Sequence, residues 1–269
     1  MYGFAKWAGR LERAVCAVAA IALAPAAAWS GAWTEPQGQG LMIATLWGWT
    51  GVGSPWGGNP AVKQNRGDSQ LFVEYGLTDQ VTVFGQMAIE RYDLTPPNSS
   101  YYFGPDYWEV GLRAKLWTSG QWVFSGEATL FLPGAEDPKS PAQAGNTGGA
   151  TEARALVGRN FDLWSIPGFL DLELAYRIRT AGPPDEWHGD LTVGLKPWPG
   201  VILMLQDLAT VSMPSTNPSF PAWRQNVVEA SVVLPLRDRW QIQIGYFQTV
   251  YVYKTNTERG VAIALWRSF

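Results

Sequence analysis

The chain is written in a period of two. From Asp106 to Trp117 one parity reads Trp108, Val110, Leu112, Ala114 and Leu116, and the other reads Glu109, Gly111, Arg113 and Lys115. Phe169 to Arg179 repeats the pattern, with Leu170, Leu172, Leu174, Tyr176 and Ile178 set against Asp171, Glu173, Ala175, Arg177 and Arg179. Glu186 to Lys196 does so again, the polar parity now carrying Glu186, His188, Asp190 and Lys196. Alternation of this kind marks strands with one apolar and one wet face. Turn signals between such segments predict about twelve strands, at 40–50, 68–77, 80–91, 105–117, 120–132, 150–161, 168–180, 185–197, 200–211, 223–236, 239–251 and 258–269. A globular strand has about 5–6 residues, whereas a tilted strand crossing a bilayer needs about 9–11. The lengths therefore predict an all-β, up-and-down antiparallel transmembrane barrel.

The connections alternate in length. Thr78-Asp79, Thr118-Ser119-Gly120, Trp198-Pro199 and Arg237-Asp238 are tight, while 51–67, 92–104, 133–149 and 212–222 are long and polar. Short inner turns and longer outer loops are the asymmetry of bacterial outer-membrane barrels. Two connections depart from it: 162–167 is longish on the short side and 181–184 is short on the long side. Tryptophans collect at both ends of the strands. Trp47, Trp49, Trp56, Trp108, Trp187 and Trp223 lie near long loops, and Trp117, Trp122, Trp164, Trp198, Trp240 and Trp266 near short turns, as two interfacial girdles would require. Arg159 and Arg267 fall on the outward parity near strand ends, where long side chains snorkel. Asp207 falls there in mid-strand, which predicts a bulge near Gln206 or an earlier strand end.

The first thirty residues read differently. Lys6, Arg10 and Arg13 precede an apolar run from Ala14 to Ala24, then Pro25 and small residues ending Ala28-Trp29-Ser30. This is the layout of a secretory signal peptide, 1–30, with cleavage after Ser30 and an earlier cut after Ala28 as the alternative. The single barrel domain is then 31–269. The one cysteine, Cys16, leaves with the signal, so disulfide and thiolate chemistry are excluded. At the other end, Gly260 to Phe269 alternates and finishes on an aromatic carboxyl terminus, similar to the signal read by barrel-insertion machinery. A net charge of −3 and 16% charged residues exclude a nucleic-acid binder, and 46% hydrophobic residues exclude a disordered chain.

The polar parity carries the candidate chemistry. It holds ten acids, Glu74, Glu90, Glu109, Glu127, Glu152, Asp171, Glu173, Glu186, Asp190 and Glu229. It also holds six bases, Arg113, Lys115, Arg154, Arg177, Arg179 and Lys196, and the one histidine, His188. Mixed signs on neighbouring strands predict cross-strand ion pairs facing the lumen. They serve either as filling that fixes register or as the wall of a selective polar conduit. Gln206, Gln241 and Gln243 add neutral hydrogen-bonding groups suited to sugar hydroxyls. This charged parity leaves no apolar groove for a hydrophobic nutrient. A single histidine without cysteine cannot assemble a zinc site, and no phosphate-loop or dinucleotide fingerprint precedes a helix, so no cofactor is expected. His188 lies on the inward parity with no serine paired to it, the wrong face for a lipid-cleaving triad, so no enzyme is expected. Arg66-Gly67-Asp68, in the first long loop, is a chance tripeptide, and Asn98-Ser-Ser100 a polar loop.

Glu74-Tyr-Gly-Leu-Thr-Asp-Gln-Val-Thr-Val83, Trp108 to Trp117 and Gly245-Tyr-Phe-Gln-Thr249 resemble phrases of small proteobacterial outer-membrane barrels labelled as transporters. Gly31-Ala-Trp-Thr-Glu-Pro-Gln-Gly-Gln-Gly40 and Asp185-Glu-Trp-His-Gly-Asp190 are similar to the XagA-like family, across most of the chain from Gly31 onward. That resemblance implies surface polysaccharide and biofilm adhesion in a Gram-negative cell, and supplies no catalytic motif. The expectation is a porin-like barrel in contact with outer-membrane lipid that assists export or passage of a polysaccharide or related polar solute. The alternative is a structural or adhesion barrel whose loops bind glycan or matrix over a closed lumen.

Overall fold

The computed structural model describes residues 31–53, 62–95, 100–134, 148–180, 183–216 and 220–269. Twelve strands follow in order: β1 Gly40–Gly53, β2 Val62–Thr78, β3 Val81–Leu94, β4 Ser100–Ser119, β5 Trp122–Leu132 and β6 Ala150–Leu163. Then come β7 Ile166–Arg179, β8 Glu186–Trp198, β9 Val201–Ser212, β10 Arg224–Pro235, β11 Trp240–Tyr253 and β12 Thr257–Ser268. Each pairs antiparallel with its chain neighbour, and β1 pairs with β12, closing the barrel. The predicted fold class and strand number stand.

Parity separates two environments. Leu112, Leu116, Leu172, Leu174, Ile178, Val261 and Ile263 face outward and are exposed, as a lipid-facing belt requires. Trp108, Trp117, Trp122, Trp164, Trp187 and Trp198 are exposed near the strand ends. Arg159 stacks over Trp122 at 4.9 Å and Arg267 over Trp240 at 5.0 Å, holding both guanidinium groups at the rim. Trp47, Trp49 and Trp266 depart from the expected girdles. Trp47 and Trp49 pair with Ala262 and Gly260 on the inward parity, and Trp266 is buried among Leu41 and Ala264. Trp56 lies outside the described residues.

Several boundaries move for physical reasons. β2 begins at Val62 rather than 68, because the polar stretch that composition marks as loop pairs residue by residue with β1. Arg66 and Asp68 are thereby strand residues facing the lumen, not loop residues. β4 begins at Ser100 and contains an irregularity opposite Ala88, between the pairs Met87–Trp108 and Ile89–Pro105. A bulge there tolerates Pro105, which has no N–H for the ladder, and re-aims Asp106 and Tyr107 inward. The 162–167 connection is tight after all. Leu163 pairs with Ile166, and the two-residue turn Trp164-Ser165 holds φ of 50° and 71°, the left-handed pair of a type I′ hairpin. β9 keeps regular register with β10 from Ile202 to Val211, so neither expected irregularity rescues Asp207. It faces lipid opposite Val228, with Asn226 on the same face of the adjacent strand.

Candidate functional site: the barrel lumen

All the expected lumen residues lie on the inward parity, but they divide unevenly around the circumference. On β4 to β8, joined by Glu74 of β2, they form one lattice. Arg113 reaches Glu74 at 3.1 Å and Glu127 at 3.0 Å. Arg154 sits at the centre of four carboxylates, with Glu152 at 2.9 Å, Asp190 at 2.7 Å, Glu127 at 4.0 Å and Glu173 in direct contact. Arg177 pairs with Glu152 at 2.9 Å while stacking 3.9 Å over Phe131. Arg179 binds Glu186 through two nitrogens, at 3.1 and 2.9 Å, and donates to Tyr107 Oη at 2.7 Å. His188 Nε2 lies 3.3 Å from Glu186, with Thr210 Oγ1 3.3 Å from its Nδ1. Register explains the pattern, since Arg113 stands opposite Glu127, Glu127 opposite Arg154, Glu152 opposite Arg177 and Arg177 opposite Glu186. Glu109 lines the small cavity beside this lattice.

Nearer the outer rim is a cluster that sequence reasoning missed. Arg66 stands 3.5 Å from Asp68, 2.5 Å from Glu90 and 3.3 Å from Asp106, between the rings of Trp49 and Tyr92. The three carboxylates lie close enough to share a metal ion, but the guanidinium occupies their centre. Carrying the parity of Glu74 back along β2 would have found Arg66 and Asp68.

The opposite wall, β9 to β12 and β1, is nearly free of charge. Glu229 accepts from Gln243 Nε2 at 3.3 Å, and Lys196 lies 5.7 Å over Phe169. Lys115 faces inward opposite Ser125, at the inner end of the charged wall. Gln206 bonds to Thr192 at 3.2 Å. Against this wall lies a cavity of 320 Å³ lined mainly by neutral groups, Thr45, Trp47, Gln70, Gln86, Gln206, Gln243 and Trp266, with the Trp33 ring and the carboxylates of Asp171 and Glu229 also on its boundary. The expectation that the charged parity leaves no apolar groove is thus corrected: Phe169, Ile202, Met204 and Val233 form a buried apolar strip on the inner face.

What covers that strip is residues 31–39, which cross the inner half of the lumen. At its root Gly40 exchanges two backbone hydrogen bonds with Phe269, at 3.0 and 2.9 Å. Glu35 N donates to Thr82 Oγ1 at 2.8 Å, and Thr34 Oγ1 donates to the Asp79 carbonyl at 2.9 Å. The Trp33 carbonyl accepts from Arg113 at 3.2 Å, and its ring packs edge-on against Phe169 and against the Ala32, Val123 and Leu156 cluster. The ring therefore joins the β5–β6 side of the lumen to the apolar strip that starts on β7. Apolar Val123, Leu156, Phe169 and Met204 on a polar parity were the available signal that a dry element lies inside.

Glu35 lies outside the strands, and its carboxyl is pushed up to about 7 from the ordinary 4.5, chiefly by burial and then by Glu74, against the pull of Arg113. A raised carboxyl means that the docked segment binds a proton which the released segment gives up. Docking is therefore fully supported below about pH 4.5 and weakens as pH climbs to about 7. Planar-bilayer conductance is expected to rise across this window. Glu35→Gln should flatten the profile, and an unchanged profile in that variant would show that Glu35 is not the sensor.

No family model matches this sequence, and no characterised protein matches it by sequence. Solved structures do resemble it. An outer membrane channel of the COG4313 group from Pseudomonas putida F1 superposes with a TM-score of 0.70 at 13% identity, over 90% of this chain and 100% of that one. The fold is that of outer-membrane barrels. The β domain of the Bordetella autotransporter BrkA follows at 0.55 and 13% identity, over 86% and 99%. The translocator domain of the autotransporter NalP from Neisseria meningitidis gives 0.53 at 11% identity, over 97% and 96%.

Proposed function

We propose that the protein is a channel of the bacterial outer membrane that passes a polar solute, a saccharide or polysaccharide, along the neutral wall when residues 31–39 withdraw. The observation that carries this reading is the 320 Å³ cavity, where indole faces, amides and hydroxyls converge on one side of the charged lattice. Stacking surfaces beside neutral donors and acceptors are what a pyranose ring needs. The volume lies at the low end of small-molecule sites, about 300–1,000 Å³. With the segment in place the cavity suits a short sugar, and a polymer needs it displaced. The similarity to a solved outer membrane channel supports the class.

The test is single-channel recording of refolded protein, with a neutral disaccharide as blocker. Openings are expected whose ion selectivity moves in Arg177→Ala and Arg179→Ala. Gln206→Ala should weaken the blockade about 2- to 13-fold, the range for one lost hydrogen bond of about 0.5–1.5 kcal/mol. Silence from folded protein with residues 31–39 deleted would sink the channel reading.

The segment across the lumen favours a second reading, a structural or adhesion barrel whose outer loops bind glycan or matrix in a biofilm. Most of 51–61 and 133–149 lies outside the described residues. Deleting those loops separates the readings: adhesion is lost under the second, and transport persists under the first.

A further inference from the structure

Gly31, the first described residue of the segment inside the barrel, is a buried glycine pressed against a buried acid. Ala32 N donates to Asp171 Oδ1 at 2.9 Å. A Cβ placed on Gly31 would stand 2.9 Å from both Cγ and Oδ2 of Asp171 and 3.1 Å from Oδ1, so only glycine fits without displacing the carboxylate. Asp171 is 4% exposed. The arginines on this wall are engaged elsewhere, Arg113 by Glu74 and Glu127, Arg154 by Glu152, Glu173 and Asp190. Beside the Ala32 amide the nearest partner of Asp171 is a second acid, Glu173, which hydrogen-bonds to it, while Arg113 acts on it only from a distance, and two buried acids side by side without a cation in direct contact are costly. The missing cation has a natural source at this spot.

We propose that cutting the chain between Ser30 and Gly31 creates that cation: the new α-ammonium of Gly31 pairs with Asp171 and locks residues 31–39 across the lumen. The cut is a hydrolysis by a signal-removing endopeptidase. Water adds across the peptide bond, the Ser30 carboxylate departs with the leader, and the Gly31 amine takes up a proton at neutral pH. The uncut chain carries a neutral amide at Gly31 and so offers Asp171 no positive charge. Closure of the lumen is therefore a consequence of maturation. This inference rests on the cleavage expected from the sequence and on the docked segment, and is independent of which solute passes.

Intact-mass measurement of protein purified from outer membranes, followed by acylation of the α-amine at pH 7, tests it. The mass should place the amino terminus at Gly31. A terminal amine ordinarily titrates near 7.7–8.0, and pairing that raises this by one unit leaves about tenfold less free amine. Acylation of the folded protein should accordingly run about tenfold or more slower than in urea, and Asp171→Asn should restore most of the rate. A relocated cleavage site that leaves Trp29 and Ser30 attached serves where Asp171→Asn fails to fold. That variant should show a fast-reacting amine and raised conductance. A mature terminus at another residue, or an amine that reacts as fast folded as unfolded, overturns the proposal. Because labelling requires no transport, its result stands apart from that of the channel test.

Discussion

Trp33→Ala is expected to raise the conductance of the refolded barrel several-fold and to leave its urea resistance nearly unchanged. The indole joins two buried clusters, one formed by Ala32 of the segment with Val123 and Leu156 of β5 and β6, the other by Phe169, Ile202, Met204 and Val233 of β7, β9 and β10. Truncating a buried aromatic removes about 3–5 kcal/mol of packing. The loss falls on docking of the segment, since the strand ladder is untouched. A segment docked about 99% of the time is held by about 2.7 kcal/mol, so such a loss leaves it docked for under half of the time. Bilayer recording measures the opening and the urea midpoint checks the barrel. Wild-type conductance in a folded Trp33→Ala protein would mean that the segment does not obstruct the path.

Arg154→Met is expected to do the reverse, destabilising the barrel by about 3–5 kcal/mol, the usual effect of deleting one partner from a buried ion pair. Four carboxylates converge on this guanidinium, which is only 16% exposed. Without it Glu127, Glu152, Glu173 and Asp190 repel one another across neighbouring strands. Arg154→Lys should recover little, because an ammonium cannot reproduce the planar fork that serves several acids at once. Adding Glu173→Gln to Arg154→Met should return part of the loss, as removal of one uncompensated charge requires. The denaturant midpoint of unfolding reads all three, and a midpoint shared by Arg154→Met and wild type would deny the lattice a structural role. Surviving protein should also select cations more strongly.

The fold was legible because a membrane barrel states its geometry in every strand. Strict alternation over ten or more residues, as from Leu170 to Arg179, leaves one solution that wets one face and buries the other. Parity alone sets Glu127 and Arg154 on one face, and the two stand opposite each other across β5 and β6. The missing parts have specific causes. Arg66 and Asp68 sit in a polar stretch whose composition resembles a loop although its backbone remains paired beyond the apolar belt. Asp106 and Tyr107 are turned inward by a bulge, which breaks the period that parity relies on. Residues 31–39 have no period, since they form no strand of the barrel. Only the apolar side chains that face them, such as Leu156 and Met204, betray their presence, and those read as ordinary exceptions in one strand at a time. Trp47 and Trp266 are the same lesson inverted: tryptophan near a strand end suggests a membrane interface, but the parity of β1 and β12 turns both toward the cavity.

The lopsided interior also has a mechanical meaning. From β4 to β8 the arginines tie strand to strand as cross-braces tie a truss, and stretching that arc separates opposite charges in a dry space. From β9 round to β1 the facing side chains are mostly glutamine, threonine, methionine and indole, with Glu229 held by the Gln243 amide, so most contacts there can slide without pulling opposite charges apart. A load on the barrel, whether from lateral pressure in the bilayer or from a bulky molecule forcing its way in, is therefore borne by the braced arc. The compliant arc changes curvature instead, so the bore widens along one seam and keeps its shape along the other.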